Sequence, residues 1–289
     1  MNNLEDIYYN SLKKPEKILS YDKKILFKIL EKSLKLLEKT PQLIRLHGDI
    51  LIVGDTHGDV HTSIYALKNK IDQIIFLGDY VDRGPYQFEN LILLLLAYLY
   101  DEKKIILLRG NHESPLMNKY YGFILDLKNK LGNNWHVFYT LIQKIFSNLP
   151  YSSIVNNEIF LVHGGIAKDL SYVEEILNLP KNDIIPKNNI SFQLLWNDPD
   201  ESVDFYAPSP RGEGIFLFGK KAVEKFLTQN KLKKIIRAHE YFYTGYRTYF
   251  DEKVITIFSC RYYPIESPKA LVIEDNEIKI INLNHSTGI

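Results

Sequence analysis

Five short aliphatic runs, each followed at once by a polar motif, restrict the fold of this chain more than any other feature of its sequence. The runs are residues 49–53, 74–77, 104–108, 159–162 and 234–236. Short β-branched or aliphatic runs of this kind are typical of buried strands. Because ligands of open α/β sheets gather beyond the carboxyl ends of the strands, we expect the polar groups to converge on one edge.

The polar motifs share a chemistry of carboxylates, imidazoles, amides and guanidinium groups. They are Gly54-Asp55-Thr56-His57-Gly58, Gly78-Asp79-Tyr80-Val81-Asp82-Arg83-Gly84, Gly110-Asn111-His112-Glu113, His163-Gly164-Gly165, Arg211-Gly212 and Arg237-Ala238-His239. Hard oxygen ligands, imidazoles and cationic donors occur together where metal ions are gathered around a phosphate. The motifs therefore indicate a two-metal site for phosphoester hydrolysis.

The segments between and around these runs predict helices and further strands. Apolar spacing predicts a helix over residues 21–39, capped by Ser20 or Asp22, and crossover helices over residues 61–70 and 86–100. Later runs at residues 254–258, 270–273 and 278–281 suggest a second, more antiparallel sheet. The expected fold is α/β (α+β), a mixed sandwich of two sheets with helices outside.

Length and motif positions favour one domain. The motifs run from Asp55 to His239 of a 289-residue chain, so a boundary between them would split the site. We therefore expect a single catalytic domain over residues 1–289, with a helical segment over about residues 1–45.

Composition narrows the partners and the compartment. A net charge of +1 suggests neither a nucleic-acid nor a membrane partner, and the apolar run at residues 91–100 is too short to span a bilayer. The lone Cys260 fits a reducing compartment, and the start Met1-Asn2-Asn3-Leu4-Glu5 lacks a signal peptide. We expect a cytoplasmic protein.

Taken in order, the motifs resemble those of the PPP family of protein serine/threonine phosphatases, within the calcineurin-like metallophosphoesterases. The resemblance includes residues 135–165, Leu194-Leu195-Trp196-Asn197-Asp198-Pro199 and Val254-Ile255-Thr256-Ile257-Phe258-Ser259, and covers about residues 21–283. It implies the metallophosphoesterase fold, with a central two-sheet β-sandwich flanked by helices.

The resemblance also implies a set of metal ligands, namely Asp55, His57, Asp79, Asn111, His163 and His239. In the family the aspartate that matches Asp79 bridges two ions. The counterparts of Asp55 and His57 hold the first metal, and those of the other three ligands complete the second. Imidazoles with carboxylates and one amide suit manganese, iron or zinc better than calcium or magnesium. We expect two divalent or trivalent ions, with manganese as first choice.

The remaining motif residues are expected to bind and cleave the phosphoester. Water bound between the two cations would attack phosphorus directly. Arg83 and Arg211 are the candidate phosphate clamps, because a guanidinium fork binds two oxygens at fixed geometry. His112 is the candidate general acid, with Asp82 holding its imidazole, and Tyr263 is expected to close one side of the phosphate pocket.

The predicted function is hydrolysis of phosphoserine and phosphothreonine in proteins or peptides, with no regulatory subunit identified. Hydrolysis of dinucleoside tetraphosphates or other small phosphoesters is the alternative, and a non-catalytic phosphoprotein-binding module is the third reading. Two positions depart from the family pattern, since Glu240 stands where glutamine is common and Arg261 lies in the segment before Tyr263. We also expect Glu113 to pair with Arg237 or Arg109, and Trp135 and Trp196 to lie in the core.

Overall fold

Two mixed β-sheets pack face to face, and helices cover both outer surfaces. The structure is a computed structural model that describes residues 4–275 and 277–283. The expected two-sheet sandwich flanked by helices is confirmed. Among the described residues, no helix combines the length and apolarity needed to cross a bilayer.

The helices and strands are numbered here in chain order. The α-helices are α1 Leu4–Lys13, α2 Lys23–Leu37, α3 Val60–Leu67, α4 Gln87–Tyr100, α5 Pro115–Tyr121, α6 Phe123–Leu131, α7 Trp135–Phe146, α8 Asn189–Trp196 and α9 Lys220–Asn230. Short 3-10 helices cover Pro15–Ser20, Gly132–Asn134 and Val173–Asn178. The strands are β1 Leu43–Leu46, β2 Ile50–Val53, β3 Gln73–Phe76, β4 Ile105–Leu107, β5 Ser152–Val155, β6 Ile159–Val162, β7 Asp198–Pro199, β8 Tyr206–Pro208, β9 Phe216–Phe218, β10 Lys234–Arg237, β11 Tyr246–Tyr249, β12 Val254–Ile257, β13 Lys269–Glu274 and β14 Glu277–Asn282.

The strands form two large sheets and one small sheet. One large sheet has the order β1-β5-β6-β10-β12-β11, and the other has the order β14-β13-β2-β3-β4. Strands β2, β3 and β4 are parallel, as are β6, β10 and β12. Parallel strands place their carboxyl ends at the same end of a sheet, which is what gathers the motifs.

Three layers of apolar side chains hold the elements together. Ile52, Ile75 and Ile236 belong to the layer between the two sheets. The five-stranded sheet is covered by α1 to α4, α6 and α7, where Leu30 of α2 and Leu94 of α4 are fully buried. The six-stranded sheet carries α8 and α9 on its outer face. Burial of apolar surface at about 25 cal/mol per Å² is the main stabilising contribution in such layers.

The predicted helices are present, with small shifts of their ends. Asp22 caps α2 by accepting a hydrogen bond from the Lys24 amide, as one of the two proposed caps. The predicted crossover helices correspond to α3 and α4. Helix α1 lies within the segment of residues 1–45 that was expected to be helical, whereas strand β1, which begins at Leu43 inside the same segment, was not expected.

The expected grouping of the late strands is wrong. Strand β12 joins the six-stranded sheet beside β10, whereas β13 and β14 extend the five-stranded sheet, where β13 pairs antiparallel with β2. The three strands therefore divide between both sheets instead of forming a separate one. Short aliphatic runs carry no local signal of the sheet to which they belong, because partner choice depends on tertiary packing.

Candidate active site

The six candidate metal ligands converge from both sheets. Asp55, Asp79 and Asn111 follow strands β2, β3 and β4 of the five-stranded sheet. His163 and His239 follow β6 and β10 of the six-stranded sheet, so the prediction of a single sheet edge was too simple. A parallel bridge between Asp55 and Phe258 joins the two sheets at this end. The ligands consequently meet at the mouth of the sandwich.

Several site residues have an unusual backbone conformation. His57, Asp79, Asp82, Arg83 and His239 all have positive φ, between 41° and 73°. Such conformations are uncommon for residues other than glycine and persist only where the surrounding structure enforces them. The turns after the strands are thus fixed in the shapes that aim these side chains at one another.

Glycine allows two of these turns to touch. A Cβ on Gly78 would lie 2.4 Å from the amide nitrogen of Gly110, and one on Gly110 would lie 2.2 Å from Oδ1 of Asp79. Any side chain at either position would push the loops after β3 and β4 apart. Asp79 and Asn111 follow these glycines and are brought together as a result.

Two trios of potential ligand atoms share Asp79. One contains His57, Asp79 and His112, the other Asp79, His163 and His239, and within each trio the atoms lie within 4.8 Å of one another. Asn111 Oδ1 lies 2.8 Å from Nε2 of His163 and 2.9 Å from Nδ1 of His239. All of these side chains are nearly inaccessible to solvent. Asp79 is therefore in the position that a ligand bridging two ions would need.

The outer nitrogens of two imidazoles fix their orientation. Nδ1 of His57 lies 2.9 Å from the carbonyl of Val81, and Nδ1 of His163 lies 2.9 Å from the carbonyl of Leu77. A carbonyl only accepts, so each Nδ1 carries the proton and each Nε2 presents a lone pair to the cluster. Burial also lowers the pKa of His57, His163 and His239, which keeps these rings neutral.

Burial has the opposite effect on the carboxyl groups of the cluster. It raises the pKa of Asp55 to about 7, and burial together with the nearby Asp55 and Glu113 raises the pKa of Asp79 well above its usual value. Two carboxyl groups and several lone pairs thus face one another in a dry site, where a bound cation would favour the ionised carboxylates. The donor set fits metal ions.

The pKa directions predict how pH affects the metal-free protein. A group with a raised pKa in the folded state loses its stabilising contribution as pH rises through that pKa. The imidazoles, whose pKa is lowered, reduce the stability of the folded protein only below about pH 6.5. Between about pH 6.5 and 8, as the pH rises through the pKa of Asp55, the melting temperature of chelator-treated protein is therefore expected to fall by a few degrees, with about 2–4 °C for each kcal/mol.

Added manganese should abolish this decrease in melting temperature with rising pH, because the metal replaces the protons on the carboxylates. Differential scanning fluorimetry with chelator and with excess manganese, at both ends of the range, measures the effect. A melting temperature of the metal-free protein that rises across this range would contradict the expectation.

His112 and Asp82 form a buried pair beside the cluster. Nδ1 of His112 lies 2.7 Å from Oδ2 of Asp82. Asp82 also accepts hydrogen bonds from the Asn118 side chain and the Phe123 amide, both at 3.0 Å, so its carboxylate is fixed from several sides. His112 also lines the cavity that lies over the cluster. The geometry is that of an imidazole oriented by a carboxylate.

An open cavity of about 500 Å³ lies over the cluster. Arg83 lines it with its guanidinium group stacked on Tyr121, 3.9 Å from the ring centre. Arg211 lines another part and forms an ion pair with Asp198. Both arginines are thus present at the cavity. A larger groove of about 680 Å³, beside strands β1 and β4, contains none of the predicted ligands.

Tyr263 also lines the cavity, as expected. Its ring stacks on His57 with the centroids 5.5 Å apart and the planes inclined by 20°. Arg261, two residues earlier, ties this loop to the start of α3. Its backbone N–H and Nε donate to Oδ2 of the fully buried Asp59 at 3.0 and 2.9 Å, respectively. Arg261 is thus placed to position Tyr263.

Loss of this attachment is expected to weaken substrate binding more than turnover. We expect Arg261→Ala to raise KM by about twofold to fivefold, the range for a partly exposed charged pair, with a smaller change in kcat. Arg261→Lys should recover part of the loss because it keeps the charge. Steady-state kinetics with a phosphopeptide measures both constants, and Arg45→Ala serves as a control because it breaks a distant exposed pair with Glu174. An unchanged KM would show that Tyr263 does not depend on Arg261.

One prediction for a residue at the site is wrong, and another is confirmed only in part. The Glu113 carboxylate pairs with neither arginine but accepts the backbone N–H groups of Asp79, Tyr80 and Gly110 at 2.7 to 2.9 Å. These bonds tie the loops after β3 and β4 together. Trp196 packs against the apolar cluster under α8 and α9 as expected, but it is only half-buried and also lines the cavity, where its ring meets His239 edge-on with centroids 5.6 Å apart. Trp135 is likewise only half-buried.

Sequence reasoning also missed some contributors to the site. Asp198 binds both Arg211 and Arg237, and its Oδ1 lies 3.9 Å from Nε2 of His239. The sequence feature that could have identified Asp198 was its position just after Trp196, in the segment that resembles the family. Asn118, which holds Asp82, had no sequence signal. Of the histidines outside the motifs, His47, His61 and His136 lie away from the cavity, and His285 lies outside the described residues.

Comparison with known proteins agrees with this geometry. Residues 48–243 match the sequence profile of the calcineurin-like phosphoesterases. The chain is similar to the serine/threonine-protein phosphatase 4 catalytic subunits of Saccharomyces cerevisiae, at 37% identity over 82% of the chain and 77% of that protein, and of Kluyveromyces lactis, at 38% over 79% and 74%. It also superposes on the structure of a protein serine/threonine phosphatase from Saccharomyces cerevisiae, with a TM-score of 0.83, 26% identity and coverage of 93% and 92% of the two chains.

Proposed function

The chain belongs to the calcineurin-like phosphoesterases and is a serine/threonine protein phosphatase, and we propose that it works with two metal ions held where its two sheets meet. The observation that carries the two-metal proposal is that Asp79 belongs to both trios of ligand atoms. Asp55 and His57 would complete the coordination of one ion. Asn111, His163 and His239 would complete that of the other. When bound, such ions activate water and neutralise phosphoryl oxygens.

The chain's own residues supply binding and proton transfer. Arg83 and Arg211 line the cavity from separate loops, where their guanidinium groups can bind phosphoryl oxygens. Tyr263 would close one side. The outer nitrogen of His112 is proposed to donate a proton to the departing serine or threonine oxygen, while Asp82 stabilises the charged ring. An alkoxide is a poor leaving group, so this proton is needed.

The substrate of a protein phosphatase is a phosphoprotein, and an open cavity suits a phosphorylated side chain presented on a peptide. Nothing in the comparisons supports the alternative of dinucleoside tetraphosphates or other small phosphoesters. The third reading, a binding module without activity, needs the loss of a ligand or acid residue. All the proposed residues are present.

A direct assay tests the proposal. Protein reconstituted with manganese, iron or zinc is incubated with a phosphopeptide library and, in parallel, with a dinucleoside tetraphosphate. Release of phosphate from phosphoserine or phosphothreonine peptides is expected, with manganese as the proposed native metal. Cleavage of the dinucleotide alone would overturn the proposal. Fractionation of cells would test the proposed cytoplasmic location, and limited proteolysis would test the proposed single domain.

A further inference from the structure

One wall of the cavity carries a carboxylate beside a phosphate-binding candidate. Glu240 lines the cavity next to Arg211, and its Oε1 lies 4.0 Å from Nη2 of that arginine. Its other oxygen, Oε2, accepts a hydrogen bond from Nη1 of the buried Arg237 at 2.6 Å. The Glu240 side chain is 24% exposed, so part of the carboxylate faces the cavity.

Glu240 belongs to a closed array of alternating charges. Asp198 binds Arg211 on one side and Arg237, at 2.8 Å, on the other, while Glu240 contacts the same two arginines. Two carboxylates face two guanidinium groups, so their formal charges cancel. Glutamine at position 240, common in the family, would leave one positive charge. This side of the cavity is therefore electrically balanced before any phosphate binds.

The part of the cavity lined by Arg83 has a different charge balance. Arg83 stacks on Tyr121, and among the described residues no carboxylate lies within 4.0 Å of its guanidinium group. Its charge is thus available to an anion, whereas that of Arg211 is shared with Asp198 and Glu240. The cavity is therefore lined by one arginine without a carboxylate partner in the described part of the chain and by another beside a partly exposed carboxylate. A bound peptide near Arg211 would meet the carboxylate of Glu240.

We propose that Glu240 determines substrate specificity by favouring phosphopeptides with a basic side chain next to the phosphorylated residue. The proposal rests on the proposed function. A phosphoryl group bound by Arg211 would lie close to Glu240, because Oε1 of Glu240 is 4.0 Å from Nη2 of that arginine. Neighbouring Cα atoms are about 3.8 Å apart, so a lysine or arginine one or two residues away can reach the Glu240 carboxylate. An acidic side chain there would be repelled.

Matched peptides test this proposal on the metal-loaded enzyme. Each has a single phosphoserine or phosphothreonine, with arginine, alanine or glutamate one or two positions to either side. We expect wild-type kcat/KM to be about twofold to fivefold higher for arginine than for glutamate at one flanking position, the range for a partly exposed ion pair. Glu240→Gln should abolish this preference, and Glu240→Asp, which keeps the charge, should retain part of it. Glu213→Gln, which removes an exposed carboxylate from the Arg211 loop, should retain it.

The outcomes separate this proposal from the proposed function. Equal wild-type kcat/KM for the arginine and glutamate peptides would overturn it, whatever the variants do. A preference that survives in Glu240→Gln would overturn it as well. Nitrophenyl phosphate has no flanking residues and shows whether each variant keeps a working site. Failure of the protein to cleave any phosphopeptide would instead refute the proposed function.

Discussion

Replacing Asp79 by asparagine is expected to abolish metal binding at one or both positions and nearly all turnover. Asp79 contributes to both trios of ligand atoms, and its Oδ1 and Oδ2 lie 3.4 Å and 3.6 Å from Nε2 of His163 and His57. An amide keeps the shape but removes the negative charge that two cations need. Bound metal is worth several kcal/mol to the transition state, so we expect a loss of roughly 10³-fold or more in kcat.

The metal content of Asp79→Asn, measured by elemental analysis, and its phosphatase rate are to be compared with those of Asp72→Asn. Asp72 is an exposed carboxylate just before the same strand and serves as the matched control. Unfolding curves would show that both variants fold. Normal metal content with a normal rate in Asp79→Asn would refute its assignment as the bridging ligand.

Replacing His112 by asparagine is expected to leave metal binding intact and to slow hydrolysis of phosphoserine peptides by about 10²–10⁴-fold, the usual contribution of a general acid. The reason is the fixed His112–Asp82 pair, which holds a proton-carrying ring at the cavity. An aryl ester such as nitrophenyl phosphate has a better leaving group. It should therefore lose much less rate than the alkyl ester.

The two substrates measured side by side distinguish an acid from a structural residue. His61→Asn is a suitable control, because His61 is half-buried at α3 and lies outside the cavity. Equal losses on alkyl and aryl esters in His112→Asn would count against proton donation. Loss of metal in this variant would show that His112 acts as a ligand, in line with its place in one trio.

The sequence anticipated the strands that carry the site and the chemical types of its residues. Strand β6 matches the predicted range, β2 and β10 differ from theirs by one residue at one end, and β3 and β4 differ by one residue at each end. Such agreement has a local cause, because a short aliphatic run followed by a polar turn describes a buried strand without reference to the rest of the chain. The His112–Asp82 contact followed from the resemblance to the family.

Other features had no local signal. Glu113 was expected to bind an arginine but instead receives three backbone N–H groups, which become available only when the loops after β3 and β4 meet. The ion pair between Arg211 and Asp198 likewise depends on how the loop around β8 folds back. Neither contact could be predicted from the spacing of residues in the sequence.

The sequence by itself determined which groups the site contains, because residue type and position at a strand end are local properties. Only the tertiary structure decided how these groups are shared between the two sheets, which charge offsets Arg211 and where Glu240 faces. Those features arise from contacts between residues far apart in the chain. Such contacts are fixed by packing and strand pairing across the whole fold, and the order of residues within any one segment does not record them.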